Sequence, residues 1–275
     1  MTLSKLLLII PLSISLCLSP LLPATELERK LIVVGEEFAP FEFIKDGKVV
    51  GVDIDIATHI FQKLDIPVVF HIMPWKRAWQ MVEGGEADAV LTTSRKATRE
   101  PYLWYPKESM WVSEYVFFVN KDRVIADFNG YQTIKKYGLG IGVINGNSYH
   151  NSFWEAFPYQ DGSTTFQGEN STTKLHPQIF KAHNAATNLY LLAAKERTDV
   201  FLIDRIIGQY TAKLLGLEDQ LSHYEPAVYS KPYFMPFVKK STYPAIKTIA
   251  DQFDEALRQL KENGEYQRFL DKWIK

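Results

Sequence analysis

The residues from Trp75 to Arg99, WKRAWQMVEGGEADAVLTTSRKATR, concentrate groups that can hold a small anion. An apolar run, Ala87 to Leu91, delivers the chain to three consecutive hydroxyls, Thr92, Thr93 and Ser94, and the segment closes on Arg99. Hydroxyls supply short, adjustable donors. A guanidinium presents two parallel N–H groups whose spacing matches the two oxygens of a carboxylate. Arg95 competes for that role, and an arginine simply solvated at the surface is the ordinary alternative. A second anion-binding pattern lies at Asn145-Gly146-Asn147-Ser148, a turn expected to open a helix. Free N–H groups at such an end, with the helix dipole behind them, favour negative charge, although Ser148 could equally be a plain cap.

Patterns for bond-making chemistry are missing. The six histidines show no metal-ligand spacing, and there is no GxSxG elbow, P-loop or dinucleotide fingerprint. Ser148, His150 and Asp204 can be written as a hydrolytic triad, but a histidine two residues after the serine is badly placed for that geometry. The expectation is therefore a binding protein and not an enzyme, with no cofactor and no metal. A formal charge of −1 offers no basic surface for nucleic acid or for a membrane.

The elements that must position these groups alternate between strand and helix. Leu31 to Val34 (LIVV) reads as a buried strand feeding the loop Glu36-Glu37-Phe38-Ala39-Pro40. Asp46-Gly47 marks a hairpin within residues 41–50. A helix follows, with Asp53 as its expected N-cap and Ile56, Ala57, Ile60, Phe61 and Leu64 on one face. Pro67 to Phe70 begins the next strand, Trp75 the next helix, and Ala87 to Leu91 the next strand; that order predicts a parallel α/β sheet. Glu114 to Asn120, Leu139 to Ile144 and Asp199 to Ile203 read as strands of a second α/β unit, with a helix over Asn188 to Lys195. Residues 161–173 are polar and read as a surface loop. Near the C-terminus Ile246, Ile249, Ala250, Phe253, Ala256, Leu257 and Leu260 form one stripe, Asn263-Gly264 ends that helix, and a last helix turns Tyr266, Phe269, Leu270 and Trp273 inward.

The first residues have the form of a secretory signal peptide: Lys5, an apolar run from Leu6 to Leu22, then Pro23-Ala24. Pro11 and Pro20 interrupt the run and disfavour a spanning helix. Cleavage near Ala24 removes one lysine and no acid, taking the formal charge from −1 to −2. The only cysteine, Cys17, leaves with that segment. An exported chain of roughly 250 residues is large enough to hold its core without disulfides. A retained N-terminal anchor and a lipid-modified Cys17 are the alternatives.

The ordered set FAPFEF, GVDIDIA, PW followed by GGEADA, TSRKATR, GVINGNS, TDVFLIDR and ENGEYQRFLDKW resembles the family 3 extracellular solute-binding proteins. These are periplasmic receptors of ABC importers for polar amino acids. The resemblance covers the whole chain after residue 24. It implies a type II periplasmic-binding-protein fold, with two α/β lobes joined by two crossing hinge strands. Lobe one would comprise residues 25–115 plus 231–275, and lobe two residues 116–230. The expected partners are a small polar amino acid and the ABC permease subunits, with the protein a monomer in the periplasm.

The resemblance also implies site residues. Arg99 matches the carboxylate-binding arginine, in a loop about one residue shorter than usual. Thr92, Thr93 and Ser94 match positions that bond ligand, while Asn147 and Ser148 complete the carboxylate site from lobe two. Asp204 matches the acceptor of the ligand ammonium; a salt bridge to Arg205 is the alternative. Phe38 and Trp75 match the residues that bracket the ligand side chain, unless they are core. Glu36 and Glu37 place negative charge nearby, and exposed loop glutamates are as often uninvolved. Two further readings of the same clamp are a periplasmic sensing partner of a membrane signalling protein, and a dehydratase-like enzyme on this fold.

Overall fold

The computed structural model describes residues 29–145, 147, 149–168 and 171–274. The signal-peptide segment, residues 1–24, and Ser148 lie outside the described residues. The first sheet starts with β1 (Leu31–Gly35). The hairpin β2 (Phe43–Lys45) and β3 (Lys48–Val50) follows, turning at Asp46 and Gly47 with φ of 51° and 71°. Two positive φ values in succession are the two-residue turn that suits twisted strands. Next come α1 (Val52–Lys63), β4 (Val68–Ile72), α2 (Trp75–Gly84), β5 (Ala89–Val90) and β6 (Leu103–Trp104).

The chain then crosses into a second sheet through β7 (Trp111–Asn120). There follow α3 (Gly130–Tyr137), β8 (Ile141–Ile144), α4 (Asn151–Ala156), β9 (Ile179–Ala182) and α5 (Ala185–Ala193). The unit continues with β10 (Val200–Asp204), α6 (Arg205–Leu214) and β11 (Leu221–His223). It returns along β12 (Tyr229–Tyr233). The first sheet is then completed by β13 (Phe237–Val238) and covered by α7 (Ile246–Glu262) and α8 (Glu265–Ile274).

The strand order is β4-β1-β5-β13-β6 in the first sheet and β11-β7-β10-β8-β9 in the second, with β12 also paired to β7. The β1, β4 and β5 contacts are parallel, as are those of β8 with β9 and β10. This is a mixed α/β molecule of two lobes, with β7 and β12 forming the antiparallel crossing pair. Each lobe has its own core. Ile246, Ile249, Phe253, Leu257 and Leu260 of α7 pack with Val33, Ile56, Ile60 and Phe61 in one. In the other, Phe117, Val143, Phe153 and Leu202 sit on one face of the second sheet, and Val116, Phe201 and Leu189 on the other.

Two helix starts differ from the sequence expectation. Helix α1 is capped by Gly51, not by Asp53, because Gly51 takes φ 137° and brings its backbone against Phe41. Asp53 is thereby turned inward and fully buried. Helix α4 begins at Asn151, past Ser148, with His150 as its cap: His150 Nδ1 accepts the Ser152 N–H at 3.2 Å. Tyr149 is buried just before it, its hydroxyl accepting the Ile144 N–H at 2.8 Å, so the chain cannot start the helix earlier.

A Cβ at Gly51 would lie 2.1 Å from the Phe41 carbonyl oxygen, a backbone atom that cannot step aside. Gly51→Ala should therefore destabilise the protein by about 2 kcal/mol or more in urea titration, from clash and φ strain together. A loss below about 0.5 kcal/mol, the size of an ordinary surface change, would contradict this account.

Candidate binding cleft

At the end of β5 the chain turns sharply, and Thr92 takes φ 43°, a strained value for a β-branched residue. Backbone bonds hold the turn: Leu91 N–H to Val34 O at 2.9 Å, and a reciprocal pair between Thr93 and Phe234 at 3.0 and 3.1 Å. The turn aims the Thr92 hydroxyl into lobe one, where it donates to Glu42 Oε2 at 2.7 Å. Thr93 Oγ1 donates to the Leu91 carbonyl at 2.9 Å. The Ser94 carbonyl accepts from Arg99 Nη1 and from the Tyr105 hydroxyl, each at 3.1 Å. All three expected hydroxyl residues thus have partners within their own lobe.

Arg99 lies over Trp75 and Trp79, with its guanidinium carbon 5.0 and 5.5 Å from the ring centroids. Cation–π contact of this kind holds the plane of the side chain while leaving most of its five N–H donors free. Arg95 sits instead over Tyr105 and Phe234. Trp75 therefore serves as a platform for Arg99. No carboxylate pairs with Arg99 among the described residues.

Beneath this loop lie two fully buried carboxyls: Glu42, which nothing in the sequence singled out, and Asp53, expected there only as a helix cap. Thr92 Oγ1 is 2.7 Å from Glu42 Oε2 and 3.4 Å from Asp53 Oδ2. One hydroxyl has one proton and cannot satisfy two ionised carboxylates. Glu42 Oε1 and Asp53 Oδ1 have no hydrogen-bond partner. Burial, with mutual repulsion added for Glu42, raises Glu42 well above the carboxylate range and Asp53 to about 8. The pair therefore holds protons at neutral pH. Asp88 is equally buried, but it has the Arg29 guanidinium at 3.1 Å and the Ile32 N–H at 2.7 Å.

Lobe two contributes a face set by strand register. Asp204 pairs with Tyr115, and Tyr115 with Tyr229, giving one row across β10, β7 and β12. Two residues along, Ser113 pairs with Lys231; two more, Trp111 with Tyr233. Residues opposite one another and at steps of two share a face. Asp204, only 1 % exposed, caps α6 by accepting the Ile207 N–H at 2.9 Å. Its other oxygen accepts the Ser113 hydroxyl at 2.8 Å and the Glu114 N–H at 3.1 Å. Burial still raises its pKa. Arg205 pairs with Glu114 and Glu225, not with Asp204.

Aromatic rings gather where the crossing strands leave and re-enter lobe one. Trp111 stacks on Phe41 at 3.6 Å and on Tyr233 at 4.6 Å, and Phe38 lies against all three at 6.1 to 6.4 Å. Burial, and then the Asp204 carboxylate, raises the pKa of Tyr233. A cavity of about 420 Å³ opens beside it, lined by Lys96, Tyr115, Tyr149, His150, Tyr229, Lys231 and Tyr233 among others. A second cavity of about 320 Å³, with Trp75, Thr98 and Arg99 in its wall, shares Lys96 with the first. Asn147 is half-buried beside Tyr149, and Glu37 is exposed.

The structure thus sets Phe38 against Tyr233, Asp204 on one sheet face with Tyr115 and Arg99 in the wall of the adjoining cavity, and turns Thr92 away to the carboxyl pair. Tyr115, Tyr229, Lys231 and Tyr233 were missed in the sequence reading. Their signal was the alternation in YSKPY, which at period two places Tyr229, Lys231 and Tyr233 on one face. Lys96 and the Glu42–Asp53 pair had no local signal.

Comparison with known proteins fits this architecture. The chain belongs to the bacterial extracellular solute-binding proteins, family 3, whose pattern matches residues 31–275; this is a family of binding proteins. It is 26% identical over 248 residues to an arginine-binding periplasmic protein of Mannheimia haemolytica, covering 90% of this chain and 91% of that one. The fold is shared with the second substrate-binding domain of a putative amino acid ABC transporter from Streptococcus pneumoniae (TM-score 0.66, 19% identity, 90% of this chain and 100% of that one). It is also shared with the unliganded, open L-cystine solute receptor of Neisseria gonorrhoeae (TM-score 0.65, 20% identity, 90% and 94%).

The carboxyl pair makes stability depend on pH. Because the folded state binds these protons more tightly than the unfolded chain, the pair's contribution is complete below about pH 4 and is lost as pH rises toward 8. Relative to a Glu42→Gln/Asp53→Asn double variant, the wild type should lose about 4 kcal/mol or more of unfolding free energy between pH 5 and pH 8, each proton held only by the fold being worth about 1.4 kcal/mol per pH unit. Parallel stability curves for the two proteins over that range would show that the pair is not protonated in the fold.

Proposed function

We propose that this protein is a periplasmic receptor that captures a polar amino acid, or a related small carboxylate, between two lobes and delivers it to the membrane subunits of an ABC importer. The observation that carries the reading is a cleft with a charged group from each lobe. Arg99 and Lys96 of the first lobe line adjoining cavities beside Tyr115, Tyr149 and Tyr229 of the second, and Asp204 stands in register with Tyr115 on the same face. A zwitterion spans such a pair: Arg99 takes the α-carboxylate and Asp204 the α-ammonium. Phe38 and the Trp75 platform bound the space for the side chain, and Thr93 and Ser94 hold Arg99 through the loop. The 26% identical relative, an arginine-binding periplasmic protein, supports the amino-acid class.

In this reading lobe one is residues 25–115 plus 231–275 and lobe two is residues 116–230, working as a monomer after loss of residues 1–24. Ligand touching both lobes stabilises the closed form by its differential affinity for that state, and the importer reads the closed shape.

Calorimetry of the mature protein against an amino-acid panel, after unfolding and refolding to strip carried-over ligand, should reveal at least one tight binder. Arg99→Ala and Asp204→Asn should each weaken that binder by about 30-fold or more, the ~2 kcal/mol expected when one partner of a desolvated charge pair is lost. Asparagine keeps an acceptor for the α6 cap but turns its NH2 toward the Glu114 N–H, so the second variant is compared only after its thermal unfolding is shown to match the wild type. Near-normal affinity in either variant would remove the assigned pole.

A further inference from the structure

Three cations meet at the cleft without counter-ions. Lys96 lines both cavities, Arg99 lines one of them, and Lys231 lines the other. Among the described residues none of the three pairs with a carboxylate: Arg99 bonds Ser94 and lies over Trp75 and Trp79, and Lys231 lies over Tyr233 at 5.1 Å. Some lysines and arginines elsewhere do have such partners, as with Lys261 and Glu108, Lys272 and Asp55, or Arg205 and Glu225. None of the nearby acids forms an ion pair with the cluster. Glu83 shares the second cavity with Lys96 and Arg99 but accepts the Trp79 indole N–H at 2.9 Å, Asp204 is held by the Ser113 hydroxyl and two backbone N–H groups, and Glu42 and Asp53 hold protons in the lobe-one interior.

Register explains how Lys231 comes to be there. Opposite Ser113 and between Tyr229 and Tyr233, it points to the same side as Asp204 and the tyrosines, and it is half-buried. Burial, and then the charges of Lys96 and Arg99, lower its pKa. An anion at this point would relieve both effects. The Tyr229 hydroxyl, buried and without a partner, is a further free donor on the same wall. A cavity of about 420 Å³ is within the range of small-molecule sites.

We infer that the ligand carries a second anionic group, held by Lys96 and Lys231, in addition to the carboxylate at Arg99. The inference rests on the receptor reading above and narrows its ligand to a small dianion, an acidic amino acid or a dicarboxylate. A cationic side chain would enter among three like charges; an amide would leave Lys231 desolvated and unpaired. The relative named for arginine binding therefore differs from this chain in ligand charge.

The test titrates the mature, refolded protein with L-glutamate, L-glutamine, L-arginine, the remaining amino acids, and dicarboxylates of increasing length that lack an ammonium group. The expected result is a dianion as the tightest ligand. It should bind at least about tenfold tighter than its half-amide, with affinity falling as salt is added. Lys231→Gln and Lys96→Gln, checked for unchanged thermal unfolding, should narrow the ratio between dianion and half-amide. A neutral or cationic amino acid as the tightest binder overturns this inference and leaves the receptor reading standing. A dicarboxylate preferred over every amino acid supports the inference and removes the ammonium pole at Asp204. Binding of none of these compounds overturns both.

Discussion

Phe41, Trp111 and Tyr233 form a stack of three rings in lobe one, where the two crossing strands leave it and return. Trp111 belongs to the lobe-one core, yet it begins the strand that runs into the second sheet. Tyr233 ends the returning strand and is paired with it. Burying these faces ties lobe-one packing to lobe-two register, because a slip of one residue in β7 or β12 would carry Trp111 out of the core and Lys231 out of the cleft. The site exists only while that register holds.

Charge is distributed around this junction in an unusual way. The interior of lobe one holds two carboxyls without a cation, and the cleft beside it holds three cations that pair with no carboxylate among the described residues. Had the two sets met, they would have neutralised one another and left a structural salt bridge. The strained turn at Thr92 separates them, since its hydroxyl faces inward to Glu42 while the chain beyond it carries Lys96 and Arg99 outward. Protonation makes the inner pair tolerable. The outer set keeps its charge for a ligand.

Strong periodic signals were legible in the sequence. The α7 stripe, the hairpin at Asp46-Gly47 and the alternation of strands and helices read correctly because local pattern and tertiary burial agree there. Helix starts read less well. Asp53 has the chemistry of a cap, but Gly51 alone can approach Phe41, so the helix begins earlier and the aspartate is buried. His150 caps α4 because Tyr149 is drawn into the core ahead of it. In both places a tertiary contact overrode a local preference.

The sequence by itself determined the family and the two-lobe α/β plan, and it offered Arg99 and Asp204 as the two charged poles. Ordered motifs and strand-end positions are local facts, so one dimension suffices to read them. Tertiary structure alone decided which hydroxyls face inward, which lysines converge, and which carboxyls are neutral. Glu42 and Asp53 are brought to Thr92 from positions 50 and 39 residues away, and Lys96 and Lys231 line one cavity from opposite ends of the chain. Protonation and ligand charge follow from distance and burial, and neither is written in spacing along the chain.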